Sequence, residues 1–122
     1  MVYTVTLNPA LDYVMKLKNL RTDDINRTDG EEIYYGGKGI NVSVILTQLG
    51  IPNTALGFLG GFTGNKLEEM LKNDNINCDF NYLKNGDTRI NVKIKADKEI
   101  DLNACGPEIT KEDMQSFLRK LD

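Results

Sequence analysis

Lys38 sits among three glycines in Gly36-Gly37-Lys38-Gly39, and the run continues as Ile40-Asn41-Val42-Ser43. Glycine adopts backbone conformations that other residues avoid, and it puts no side chain between the backbone and a ligand. A helix starting in such a turn aims its free amide groups into it, and a lysine beside them adds a full positive charge. That is chemistry for an anion or a hydroxyl-rich ligand. Val42, Ile45, Leu46 and Leu49 follow at helical spacing, with Gly50 and Pro52 as a stop, so the spacing predicts an amphipathic helix with these four as its buried stripe. The run is not a P-loop, because Gly39 follows Lys38 where a hydroxyl residue would hold magnesium. It is not a dinucleotide fingerprint either, since the third glycine slot counted from Gly37 falls on Val42. A glycine turn that only lets a helix pack against a strand stays open as the alternative.

Other polar residues fall where they could join this turn. Val2–Leu7 reads as a buried strand ending at Asn8-Pro9, with Asp12 just beyond the turn. Ligands of α/β sheets bind at the carboxyl ends of strands, which makes Asp12 a candidate for holding hydroxyls, a capping or turn aspartate being the alternative. Arg89–Ala96 alternates, with Ile90, Val92, Ile94 and Ala96 on one face and Arg89, Asn91, Lys93 and Lys95 on the other. One face suits burial and the other suits anions. Arg27 lies in a polar loop from Arg21 to Gly30, where a solvated arginine is the plainer reading. There is no histidine, and Cys78 and Cys105 are far apart in sequence. Zinc sites, Cys-His nucleophiles and Ser-His-Asp triads are excluded as far as this chain supplies the groups, which leaves carboxylates for catalysis. Both cysteines read as reduced and partly buried.

The elements that must position these residues alternate in type. Tyr13–Lys18 and Glu31–Tyr35 read as short strands on either side of the polar loop, and Thr54–Gly61 as a central strand. Leu67, Met70 and Leu71 mark a helix from Thr63, Cys78–Leu83 a further strand, and Ile100–Ala104 the return of a hairpin begun by Arg89–Ala96. Thr110 is an N-cap with Asp113 in a capping box and Ile109 stapled to Met114, ahead of a buried stripe of Met114, Phe117, Leu118 and Leu121. Strand, helix, strand in succession predicts a parallel α/β sheet. The 122 residues carry a net charge of -3, with 15 basic residues scattered along the chain, which argues against nucleic acid or an anionic membrane as partner. No stretch has the ~20 apolar residues of a membrane span, and the start lacks signal-peptide order, so a cytoplasmic setting is expected.

Gly36 to Ser43, with Gly50 after it and Gly60-Gly61 closing the next strand, resembles the amino-terminal signature of the ribokinase-like (PfkB) carbohydrate kinases. Tyr3 to Asp12, Gly57 to Gly64 and Thr88 to Lys93 resemble the 1-phosphofructokinase and tagatose-6-phosphate kinase branch. The resemblance covers nearly the whole chain and implies one amino-terminal part of a ribokinase-like domain, residues 1–122. The implied fold is a parallel sheet with flanking helices and a small β-sheet lid, its strands near 12–18, 31–35, 89–96 and 100–104. The implied reaction is ATP-dependent phosphorylation of a ketohexose phosphate, fructose 1-phosphate to fructose 1,6-bisphosphate, with tagatose 6-phosphate as the competing substrate. The resemblance assigns the sugar hydroxyls to Asp12, Gly36, Gly37, Gly39 and Asn41, and the substrate's phosphate to Lys38 and Arg89, with Arg27 and Asn91. It also implies a homodimer through the lid, across which Arg27 can reach. The resemblance places the catalytic base in a carboxyl-terminal glycine turn that these residues do not contain, since Gly106-Pro107-Glu108 has neither the glycines nor the aspartate, and it places ATP and Mg2+ mainly on the same carboxyl-terminal half. A reading of another class is a non-catalytic sugar-phosphate-binding module.

Overall fold

In the computed structural model, which describes Met1–Asp122, the order is β1 (Val2–Thr6), β2 (Ala10–Lys16), β3 (Gly30–Gly36), α1 (Lys38–Gln48), β4 (Asn53–Leu59), α2 (Gly61–Asn73), β5 (Asn81–Tyr82), β6 (Arg89–Lys95), β7 (Glu99–Leu102) and α3 (Lys111–Leu121). Two sheets result. β1, β4 and β5 form a parallel sheet in the order β1-β4-β5, and β3, β2, β6 and β7 form a mixed one in the order β3-β2-β6-β7.

β4 is buried at every position, as expected of a parallel strand covered on both faces. Its Ala55 and Leu59 join Ile40 of α1, Leu67 and Leu71 of α2, Ile76, Phe80 and Leu11 in the main core. Leu56 and Phe58 point the other way and pack with Leu83 and Phe117 of α3, the Phe58 and Phe117 rings tilted at 5.1 Å between centroids. The parallel sheet thus lies between α1 and α2 on one face and α3 on the other. β1 is its open edge. Thr4 and Thr6 are buried beneath α1, whereas Tyr3, Val5 and Leu7 are exposed.

The predicted stripe of α1 is not the face it buries. Val42, Ile45 and Leu49 are exposed, and Ile40 and Ser43 are fully buried. The cause lies in β1, where the Thr4 hydroxyl meets the Ser43 hydroxyl in a buried hydrogen bond. Small polar side chains let helix and strand approach closely, and the apolar stripe is turned away. Similarly, Leu118 and Leu121 of α3 are exposed, leaving Phe117 as its buried anchor with Met114 and Ile109 packed beside it. The Thr110 capping box forms as the sequence predicts, with both reciprocal hydrogen bonds to Asp113.

The mixed sheet leaves the body as two antiparallel pairs joined by a parallel one, β2 with β6. Asp12 lies beyond the turn, as the sequence predicts, and already inside β2, because the strand begins at Ala10, directly after Pro9. At two positions of β6 the expected burial is reversed, Asn91 being 7% exposed and Ile90 43%, while Val92 and Ile94 are half-buried. Asn91 is enclosed by its neighbours on the polar face. On the apolar face only Leu11 and Tyr35, at the base of the sheet, reach the core. Ile90, beside Leu11 at that level, and Ile33 and Leu102 farther out stand open.

Candidate functional site

The carboxyl end of β1 runs into the turn before β2, and the amino end of α1 comes up beside it. Between them lies a cleft of about 400 Å³ lined by Val5, Thr6, Leu7, Asn8, Gly37, Lys38, Gly39, Asn41 and Arg89. This is the crevice outside the strand ends where open α/β sheets take their ligands.

The helix start explains the polarity of the cleft. Gly37 is the N-cap of α1 and has no side chain to cap with. Thr6 does it from β1, its hydroxyl accepting the Ile40 amide at 2.9 Å. The Lys38 and Gly39 amides, in the first helical turn, have no partner in the helix ladder and lie at the cleft. The glycines themselves owe more to packing than the sequence suggested. A Cβ on Gly39 would lie 2.5 Å from the Thr6 hydroxyl and 2.6 Å from the Val5 carbonyl, and one on Gly37 2.6 Å from the Thr6 methyl. Both open toward β1, so what the cleft presents is the amide groups, Lys38 and Asn41.

Arg89 closes the opposite wall. Its Nη1 donates to the Ala104 carbonyl at 3.1 Å, and its Nε is buried without a partner. The guanidinium as a whole lines the cleft, where a charged donor suits an oxyanion. Asn8, read from the sequence only as part of a turn, lines the cleft and donates to the Cys105 carbonyl at 2.9 Å, fixing the chain where it returns from β7. Thr6 and Asn8 were missed as site residues. Their position at the end of a strand predicted to be buried was the available signal.

Asp12, Gly36 and Asn91 are a second group outside the lining of the cleft. Asn91 Nδ2 donates to Asp12 Oδ1 at 3.2 Å, and a Cβ on Gly36 would lie 2.8 Å from Asp12 Oδ2. Arg27 is brought to neither group. It lines a separate cavity with Leu17, Lys18 and Arg21 in the loop beyond the far end of β2. Arg89 pairs with Ala10 and Lys95 with Lys16, so that loop begins about 20 Å along the strands from the cleft.

No group of three or more His, Cys, Asp or Glu side chains is placed to hold a metal ion, and no helix is long and apolar enough to cross a membrane. Both cysteines are free, and burial is the main influence pushing the Cys78 thiol up.

The profile of the pfkB family carbohydrate kinases matches residues 5–122. A 1-phosphofructokinase of Bacillus subtilis is 44% identical over 120 residues, which are 98% of this chain and 39% of that protein. A D-tagatose-1-phosphate kinase of Bacillus licheniformis is 40% identical over 121 residues, 99% of this chain and 40% of that one. A crystal structure from Staphylococcus aureus described as that of a phosphofructokinase superposes with a TM-score of 0.93 at 43% identity, covering 99% of this chain and 39% of its own. The chain therefore spans about two fifths of the length of the relatives it matches. With its ribokinase-like α/β fold and a family match from Val5 to Asp122, the chain belongs to the pfkB family of carbohydrate kinases.

Proposed function

We propose that this chain is the sugar-phosphate-binding part of an ATP-dependent ketohexose-phosphate kinase that converts fructose 1-phosphate to fructose 1,6-bisphosphate. The observation that carries the reading is one cleft that holds Lys38, the first amides of α1 and the Arg89 guanidinium. Lys38 and Arg89 hold the phosphate already on the sugar through charge-assisted bonds, the stronger kind. The Gly36–Gly39 turn, Asn41 and the Asp12 carboxylate hold hydroxyls. Arg27, at the far end of its own small sheet, serves the phosphate of a second copy. The apolar outer face around Ile33, Ile90, Val92 and Leu102 supports a homodimer formed through that sheet. Two free cysteines fit a reducing, cytoplasmic setting.

This chain gathers no group of three or more acidic side chains, and ATP and Mg2+ are assigned mainly to residues of the longer protein outside it. Catalysis of phosphoryl transfer depends largely on positioning and charge stabilisation, and this chain's part is positioning the acceptor. A second sugar is favoured by the 40% identity to a D-tagatose-1-phosphate kinase. That relative's name puts the phosphate on carbon 1, not carbon 6 as in the tagatose substrate expected from the sequence.

The test is calorimetric titration of the chain with fructose 1-phosphate, tagatose 1-phosphate and tagatose 6-phosphate, followed by turnover of the full-length protein on each. Binding with a preference for the 1-phosphates is expected, with ATP-dependent phosphorylation by the full-length protein and none by the 122-residue chain. Absence of binding to all three overturns the reading. Binding without turnover by the full-length protein replaces it with a non-catalytic module.

A further inference from the structure

Asn91 is the buried polar residue of β6, and both ends of its amide are engaged. Oδ1 accepts the Ala104 amide at 3.0 Å, and Nδ2 donates to Asp12 Oδ1 at 3.2 Å. These contacts fix the orientation of the group. A backbone N–H can only donate and an ionised carboxylate can only accept, so oxygen must face Ala104 and nitrogen must face Asp12. Asp12 and Asn91 are directly opposed in the parallel register of β2 and β6, which holds their side chains on one face. On the other side of the carboxylate, Asp12 Oδ2 lies so near Gly36 that a Cβ added there would meet it at 2.8 Å and push it aside. The carboxylate is therefore held between an amide donor and a bare glycine backbone.

Resting on the sugar-phosphate reading above, we propose that Asn91 is not a phosphate ligand but a positioning residue: it sets the direction of the Asp12 carboxylate and ties it to the chain returning from β7 at Ala104. One side chain thus couples the hydroxyl-binding group to the segment that Arg89 also holds through the Ala104 carbonyl. Phosphate recognition stays with Lys38 and Arg89. Sugar recognition passes through Asp12 and depends on Asn91 and Gly36 behind it.

The coupling predicts a split between ligands. Binding of fructose 1-phosphate and of inorganic phosphate would be measured by calorimetry for the wild type, Asn91→Ala, Asn91→Asp, Gly36→Ala, Asp12→Ala and the Asp12→Ala/Asn91→Ala double variant. Amide exchange at Ala104 would be followed by NMR. Asn91→Ala and Gly36→Ala are expected to weaken fructose 1-phosphate at least tenfold and to leave inorganic phosphate within twofold. The double variant should bind no worse than Asp12→Ala, because Asn91 acts only through that carboxylate. Asn91→Asp keeps the acceptor for Ala104 and loses the donor to Asp12. It should hold the Ala104 exchange rate within threefold and still lose the sugar phosphate, whereas Asn91→Ala should speed that exchange at least tenfold. Additive losses in the double variant, or equal losses for both ligands, would overturn the positioning role. A slow Ala104 amide in Asn91→Ala would overturn the clamp itself. A wild type that binds phosphate but shows no gain from the sugar would overturn the reading of the site, and with it the role given to Asp12, while the exchange result still decides the clamp.

Discussion

Arg89 and Lys38 offer two different kinds of positive charge to one cleft, and substitution should distinguish them. A guanidinium presents a rigid fork of donors, and a charge-assisted bond to phosphate is worth about 1.5–3 kcal/mol, so Arg89→Ala should weaken fructose 1-phosphate at least tenfold by calorimetry. Lys38→Ala should cost less, since an ammonium on a flexible stem acts as a point charge. Gly39 answers to a different force. An added methyl would meet the Val5 carbonyl at 2.6 Å, an atom of the β1 backbone that cannot turn aside. Gly39→Ala is therefore expected to destabilise the fold by roughly 1–3 kcal/mol in urea unfolding, whether or not ligand is present. At this scale the sequence was partly legible. It singled out Lys38, Asn41 and Arg89, which share the cleft, and kept open a packing role for the glycines, but gave no sign that β1 is the strand they face or that Thr6 supplies the cap. Such facts depend on which strand the helix start lands against, and spacing along the chain does not encode that.

Helices and strands were easier to locate than to orient. α1 and α3 lie where their periodicity and caps place them, yet α1 buries Ser43 and exposes Ile45. Hydrophobic spacing selects the most apolar face, whereas the packed face here is the one whose small hydroxyls, Ser43 with Thr4, allow close approach. Leu118 and Leu121 went the same way, since β4 and β5 offer α3 only the patch that Phe117 fills. The capping box of α3 also gives a pH signature. The Thr110 hydroxyl, and then its amide, hold the Asp113 carboxyl below its usual range. A carboxyl depressed in the folded state adds stability above its ordinary titration range, and that stability is lost as pH falls through the depressed value. Thr110→Ala should therefore flatten the acid limb of a stability-against-pH curve measured by circular dichroism. An unchanged limb would mean that the box is formed without consequence for folding.

For the molecule as a whole, the surfaces it leaves open matter most. The outer face of the small sheet carries Ile33, Ile90, Val92 and Leu102, and covering such side chains contributes about 1.5–3 kcal/mol each. If two copies cover it for each other, Val92→Asp in the full-length protein should sediment as a monomer and bind sugar phosphate more weakly. A variant that stays dimeric would locate the contact elsewhere.

β1 has a separate consequence. It has a partner on only one side, and Tyr3, Val5 and Leu7 beside its open edge are exposed. An unpaired strand with apolar neighbours is a template for any extended chain that meets it. Protein concentration then becomes a hazard for this chain handled alone. Strand-to-strand growth, detectable as thioflavin fluorescence with a lag that shortens as concentration rises, should compete with recovery after denaturant is removed. Placing a lysine there, as Val5→Lys, should lengthen the lag and raise the yield of refolded monomer, because a charge on an edge strand discourages pairing without touching Thr4 or Thr6 on the opposite face.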